Sequence, residues 1–321
     1  MCDPPIRKVL LTGGFRYGGV QAFAQALADG FETLGYSSEV IPPLAIFRRW
    51  HELRDPSVLK ILGTQAIFAA PFARRTICVA CGFPRPDAQG WARTLGILVS
   101  YKIANLSRSC RLVAVSKYVA AHLSGIHNLR IDAAICNPVQ TAFTTPWKEG
   151  VERTYLTYVG RLIPAKNVHR LLPAMLQVLD EDPRLCICIV GDGSQRKVIE
   201  AMAQGNPRVE FTGNIESAAV IERLRQTRVF VSGNEMEPFG ITYLEALSQG
   251  CIVAMPACGG GLEIDLGEIG HCIHLLPLSF DTNAMAAVLR QALKVDNAPY
   301  DVSAYRDDNV ATKYLDLGKQ I

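Results

Sequence analysis

The stretch Arg228-Val-Phe-Val-Ser232, followed by Glu237-Pro-Phe-Gly-Ile-Thr-Tyr-Leu-Glu245 and closed by Ser248-Gln-Gly250, reads as strand, loop and helix, with the helical run at Ile241–Ser248. Pro238 suits a first helical position, where its missing N–H is not needed. Gly250 suits the C-terminal cap. A helix starting near Pro238 turns its free backbone N–H groups and positive dipole end toward the loop above the strand, which favours an anion there. Eight helical residues rise by about 12 Å, at roughly 1.5 Å each. Glu237 and Glu245 can then touch opposite ends of a long, hydroxyl-rich, phosphate-containing ligand. On spacing alone, two solvated glutamates are the plainer reading.

The same alternation extends through the chain. Strand-like runs are Lys8–Thr12, Glu39–Ile41, Thr76–Ala80 and Arg111–Ser116 in the first half. Tyr155–Val159, Leu185–Val190, Val209–Phe211, Val229–Val231 and Cys251–Ala254 follow in the second. Helical patterns lie between them, such as Val20–Leu34, which stops at Gly35. This predicts an α/β fold of parallel sheets covered on both faces, arranged as two Rossmann-like, doubly wound domains facing a central cleft. Asn137-Pro138 ends the first, and polar Thr144–Arg153 is the expected linker. The expected divisions are 1–150, 151–300 and a terminal segment 301–321.

Composition agrees with two separate cores: 321 residues, 49% hydrophobic and 20% charged. No run approaches the ~18 apolar residues of a membrane span. The N-terminus runs directly into a strand and does not read as a signal peptide. Several of the ten cysteines lie inside apolar runs and read as small buried hydrophobes in a reduced, cytosolic protein. Cys78-Val-Ala-Cys81 has redox-like spacing, but it lies in a strand and no second cysteine pair supports a metal. Residues 1–150 hold 17 Lys and Arg against 9 Asp and Glu, and the remainder 16 against 21. The first half therefore faces something anionic.

Ligands in such sheets bind beyond the carboxyl ends of the strands. Gly18 and Gly19 open a helix where backbone can approach a phosphate, though an ordinary tight turn fits as well. The glycines lack dinucleotide spacing, which weakens a nicotinamide reading. Arg161 and Lys166, in Gly160-Arg-Leu-Ile-Pro-Ala-Lys166-Asn167, can offset a diphosphate's charge, or be two solvated cations. Gly191-Asp-Gly193 reads as a turn. Gly259-Gly-Gly261-Leu-Glu263 offers amides and a carboxylate, or a flexible loop.

In order, the chain reads Gly-Gly-Val-Gln, Val-Ser-Lys, Asn-Pro-Val, Gly-Arg-Leu-x-x-x-Lys-Asn, Val-Gly-Asp-Gly, Phe-Thr-Gly, Glu-Pro-Phe-Gly-x-x-x-Leu-Glu-Ala and Gly-Gly-Gly-Leu-Glu. This resembles the retaining, GT-B-fold glycosyltransferases of family 4 over almost the whole chain, most strongly from Tyr155 to Ile264. The resemblance implies that Arg161 and Lys166 hold the donor diphosphate. It places Glu237 near the donor sugar and Glu245 on the nucleotide ribose. Gly160 belongs to the same donor loop. Backbone N–H groups from Phe239 through Gly240 and Ile241 to Thr242 would meet sugar and phosphate. Gly18 and Gly19 would form the first-domain glycine loop, and the last helix, about Tyr305–Leu317, would cross back onto the first domain. The family's usual His-Gly is here Cys81-Gly82, so Asp87 or a main-chain group is the expected sugar contact, with Glu263 a further sugar or acceptor contact. Gln21 stands where the family carries Glu.

The implied reaction moves a sugar, with retention, from a UDP- or GDP-linked donor to a hydroxyl of a glycan or lipid-linked acceptor, in cell-surface polysaccharide or lipopolysaccharide synthesis. No cofactor and no metal are expected, since no Asp-x-Asp motif is present. No nucleic-acid partner is expected. Two alternatives stay open: a catalytically silent GT-B nucleotide-binding protein, suggested by Cys81, and an NAD-linked oxidoreductase. Ala45–Leu53 and Trp91–Lys102 mix bulky apolar residues with cations. They read either as core-facing amphipathic helices or as a peripheral contact with the anionic inner face of the plasma membrane.

Overall fold

Strands β1 (Lys8–Thr12), β2 (Ser37–Ile41), β3 (Val58–Gly63), β4 (Thr76–Ala80), β5 (Cys110–Ala114) and β6 (Ala133–Ala134) pair in parallel in the order β2-β1-β3-β4-β5-β6. A second parallel sheet takes β7 (Tyr155–Val159), β8 (Cys186–Val190), β9 (Val209–Gly213), β10 (Thr227–Val231), β11 (Ile252–Pro256) and β12 (Ile273–Leu276). Its order is β12-β11-β10-β7-β8-β9. These come from a computed structural model that describes residues 4–14, 19–84, 86, 90–107, 109–144, 150–264 and 270–321. The central strands are apolar on both sides because helices cover both faces. β3, β4 and β11, for example, are buried throughout.

β1, β4 and β7 occupy the runs read from sequence; β3, β6 and β12 were not read as strands. β3 is the instructive case. It lies at the middle of the first sheet, and Lys60 interrupts its apolar run Val-Leu-Lys-Ile-Leu-Gly. Lys60 is fully buried, and its ammonium donates to the carbonyl oxygens of Asp55 and Val58, both at 2.8 Å. Burial lowers its pKa to about 7. The protein tolerates a lysine there because backbone carbonyls at the strand's start satisfy it.

The chain divides into two compact units, Met1–Thr141 with Ser303–Ile321, and Ala142–Val302. The seam lies ahead of the polar stretch Thr144–Arg153. One reason is local: the Phe143 carbonyl accepts from Ser248 Oγ at 2.9 Å and Gln249 Nε2 at 2.6 Å, which ties it to the second unit. In the first unit, the last helix (Asp307–Gly318) packs on the first (Gly19–Thr33). Phe23 and Tyr314 meet edge to face, with centroids 6.4 Å apart. At Gly30 the two backbones come so close that an added Cβ would lie 2.3 Å from the Asp307 carbonyl oxygen.

Each sheet has one place where successive connections leave in opposite directions: between β1 and β3 in the first, and between β7 and β10 in the second. In open α/β sheets such reversals are where ligands bind, beyond the strands' carboxyl ends.

The Gly30 contact generates a paired prediction. Gly30→Ala should lower stability in a urea melt by about 1–3 kcal/mol, the usual cost of overpacking. Gly125→Ala, in the helix Lys117–His127 with open space around its Cβ, should be neutral or gain up to about 1 kcal/mol.

Candidate active site

The loops after β7 and β10 flank the strand-order reversal of the second sheet, and side chains lace them together. Asn167 holds a left-handed conformation (φ 53°) that asparagine tolerates. Its Nδ2 donates to the Gly233 carbonyl and to Glu235 Oε2, each at 3.0 Å. Gly233 admits this approach because a Cβ there would lie 2.9 Å from the Lys166 carbonyl oxygen. One residue away, Lys166 Nζ is 3.0 Å from Glu237 Oε2. Asn234 Nδ2 donates to the same oxygen at 2.6 Å. Glu237 is thus fixed by one carboxylate oxygen, while Oε1 accepts no hydrogen bond among the described residues.

Arg161 is exposed just beyond β7, and its side chain forms no ion pair among the described residues. Its carbonyl accepts from the buried Tyr158 hydroxyl at 3.0 Å. Burial, and after it the charge of Glu237, push the Tyr158 phenol up, so it remains a neutral donor. The next loop braces this one. An added Cβ at Gly191 would lie 2.0 Å from the Gly160 carbonyl oxygen, and at Gly193 2.4 Å from that of Leu162. Gly191-Asp-Gly193 is therefore a close-packed support for Gly160–Leu162 as well as a turn.

The helix after Glu237 begins at Ile241, not near Pro238. Residues 237–240 instead form a turn locked against the glycine loop. Gly260 N donates to the Glu237 carbonyl at 2.8 Å, and a Cβ on Gly260 would collide with the Pro238 carbonyl oxygen at 2.0 Å. Gly240, at φ 90°, then caps the helix. The 12 Å rise expected between the two glutamates along one helix does not apply, because Glu237 stands outside it. The first amides of Ile241–Ser248 still lack partners inside the helix, and Phe239 is buried under the turn. Gly259–Gly261 is accordingly close-packed rather than a flexible loop, and Gly261 lies against the ring of Tyr243.

Glu245 lies in the middle of that helix, half-buried, and its carboxyl accepts no hydrogen bond among the described residues. Burial raises its pKa from 4.5 to about 8. Glu263 ends the single turn Gly260–Glu263 and is half-buried. Asn167, Asn234 and Glu235, which also shape this site, were not singled out in the sequence. Only their positions just past strand ends could have marked them.

The remaining site candidates belong to the first unit. Gly19 opens the helix Gly19–Thr33 and is exposed, and a Cβ added there would meet nothing within 4 Å among the described residues. Gln21 Oε1 accepts from Gly14 N at 3.1 Å and so closes the turn after β1. Burial pushes the Cys81 thiol up to about 12, so it is neutral at physiological pH. Cys78 meets Cys110, with the two sulfurs 3.2 Å apart, instead of Cys81. Gly18 and Asp87 lie outside the described residues.

The Glu245 shift sets a pH dependence. Its pKa is higher in the folded protein than in an unfolded chain, so stability falls as pH rises from about 4.5 to about 8 and then levels. Glu245→Gln should remove that fall. Thermal melts should show the variant's advantage over wild type growing across this window; a gap that stays constant with pH would contradict it.

Residues 141–274 match the family model described as Glycosyl transferases group 1. The chain is 26% identical over 236 residues to an uncharacterized glycosyltransferase of Methanocaldococcus jannaschii, covering 66% of this chain and 60% of that protein. It is 37% identical over 112 residues to the GDP-mannose-dependent alpha-mannosyltransferase of Mycolicibacterium smegmatis, covering 35% of this chain and 28% of that protein. The chain thus spans less than two thirds of these curated relatives. Among solved structures, Anabaena HepE in complex with UDP superposes with a TM-score of 0.67 at 16% identity, covering 98% of each chain. WaaG, a glycosyltransferase involved in lipopolysaccharide biosynthesis, gives 0.67 at 16%, covering 96% of this chain and 95% of its own. At these identities the structures share the fold. The chain has the GT-B fold, and its residues 141–274 are similar to the glycosyl transferases group 1.

Proposed function

We propose that the chain is a retaining glycosyltransferase, moving a sugar from a nucleoside diphosphate donor, UDP- or GDP-linked, to a hydroxyl of a glycan or lipid-linked acceptor. The observation that carries this reading is the Lys166–Glu237 pair at the strand-order reversal, with one Glu237 oxygen held and the other open. A carboxylate oriented in this way can accept hydroxyls of a sugar while its lysine partner faces the adjoining phosphate. That HepE was crystallised with UDP and with UDP-glucose supports the donor class.

The chemistry follows from charge. As the glycosidic bond breaks, positive charge grows on the sugar ring and negative charge on the leaving diphosphate. Arg161, Lys166 and the first amides of Ile241–Ser248 offer positive charge for the leaving group. Glu237 orients the sugar. Glu245, half-buried and without a hydrogen-bond partner among the described residues, suits the paired hydroxyls of a ribose, which would replace the hydrogen bonds it lost on leaving water. The neutral Cys81 thiol is a weak donor, so sugar recognition rests on the second unit in this reading.

Lys166→Ala should reduce transfer by on the order of 10²–10³ while the protein stays folded, as for other charge-stabilising donors. Melting curves with UDP, GDP, ADP and their sugars should show one nucleotide family raising the melting temperature. Turnover near wild type in the lysine variant would refute the site. Nucleotide binding with no transfer to any acceptor would favour the silent binding protein, and stabilisation by NAD alone would favour an oxidoreductase.

A further inference from the structure

The helix Trp91–Leu106 in the first unit turns its largest apolar side chains outward. Trp91, Leu95, Val99 and Leu106 are 80, 63, 48 and 85% exposed, while Thr94, Tyr101 and Ala104 form its buried side. At 3.6 residues per turn the four fall within an arc of about 80°. Lys102 lies inside that arc, and the helix contains no acidic residue. The face is not the core-facing side of an amphipathic helix.

Neighbouring segments extend it. The connections β2 to β3, β3 to β4 and β4 to β5 all step the same way across the sheet, so right-handed crossovers put all three on one face. From the first two, Phe47, Trp50 and Phe72 are exposed. Trp50 and Phe72 meet with ring centroids 6.0 Å apart, and the Arg54 guanidinium lies 5.4 Å over the Trp50 ring. Together with Arg74 they line a cavity of about 490 Å³. Arg49 is neutralised by Glu39 and Glu52, whereas Arg48, Arg54, Arg74, Arg93 and Lys102 form no ion pair among the described residues.

We infer that this face of the first unit rests on an anionic lipid bilayer. Exposed tryptophan and aliphatic side chains interleaved with unneutralised cations match the interface between headgroups and acyl chains. Each cation near a negatively charged leaflet adds to the attraction. A second copy of the chain is a poorer occupant, because a two-fold contact would set the same cations against one another. No helix among the described residues is long and apolar enough to cross a membrane, so the contact is peripheral. The inference is independent of sugar transfer, and nucleotide binding by the second unit serves as a folding control.

The test is co-sedimentation of the full chain with vesicles of phosphatidylcholine alone or mixed with phosphatidylglycerol, at low and high salt. Binding should require phosphatidylglycerol and weaken with salt. Trp91→Ser with Leu95→Ser, and separately Arg54→Glu with Arg74→Glu, should each weaken it about ten-fold or more, with melting temperature and nucleotide binding unchanged. Absence of binding, equal binding to neutral vesicles, or double variants that bind like wild type would overturn the inference. So would self-association, in sedimentation velocity without vesicles, that the Trp91 and Leu95 changes abolish.

Discussion

Two loops can share one ligand only where the strands beneath them send the chain in opposite directions. In the second unit that place lies between β7 and β10, and the contact formed there joins Lys166 to Glu237 across 71 positions of sequence. Strand order fixes it first. Asn167, bonded to Gly233 and Glu235, then fixes the spacing of the loops. The glycines at 191, 193 and 260 let neighbouring backbones close in from the sides. Each of these contacts holds a charged group in a prepared position before any ligand arrives, which is the condition for charge stabilisation without reorganisation.

The two glutamates have different surroundings and so different chemistry. Glu237 is held by an ammonium and an amide. Glu245 has no such partner among the described residues, and burial moves it toward its neutral form. Burial without a partner costs free energy in the empty protein, and hydroxyl donors would return part of it on binding. Under the proposed function, some folding stability is thereby exchanged for affinity at one end of the site.

Much of this was legible in the sequence, for physical reasons that also explain the rest. Runs of aliphatic, aromatic and β-branched residues gave β1, β4 and β7, because a strand buried on both faces has no polar period to hide it. β3 escaped because Lys60 breaks its run, and only the three-dimensional position of the Asp55 and Val58 carbonyls makes that lysine acceptable. The helical run Ile241–Ser248 is legible as such, while Pro238 adds a local signal for an earlier start that the structure does not use. Gly240 carries the stronger tertiary one, since the turn before it must fit against Gly260. Lys166 and Glu237 could be named separately from motif positions, but their pairing, and the roles of Asn167 and Asn234, depend on strand order. Likewise, the pattern of Trp91–Lys102 fitted a buried or an exposed helix equally well until Thr94, Tyr101 and Ala104 showed which side faces the core.

The central claim is that the Lys166–Glu237 junction is the phosphate and sugar end of a nucleotide-sugar site. A crystal structure with a bound nucleoside diphosphate sugar tests it most directly. The account predicts a diphosphate oxygen within about 3 Å of Lys166 Nζ, the first amides of Ile241–Ser248 directed at the same group, and the sugar on the open oxygen of Glu237. A nucleotide bound elsewhere, with the junction unchanged and facing only water, would contradict it.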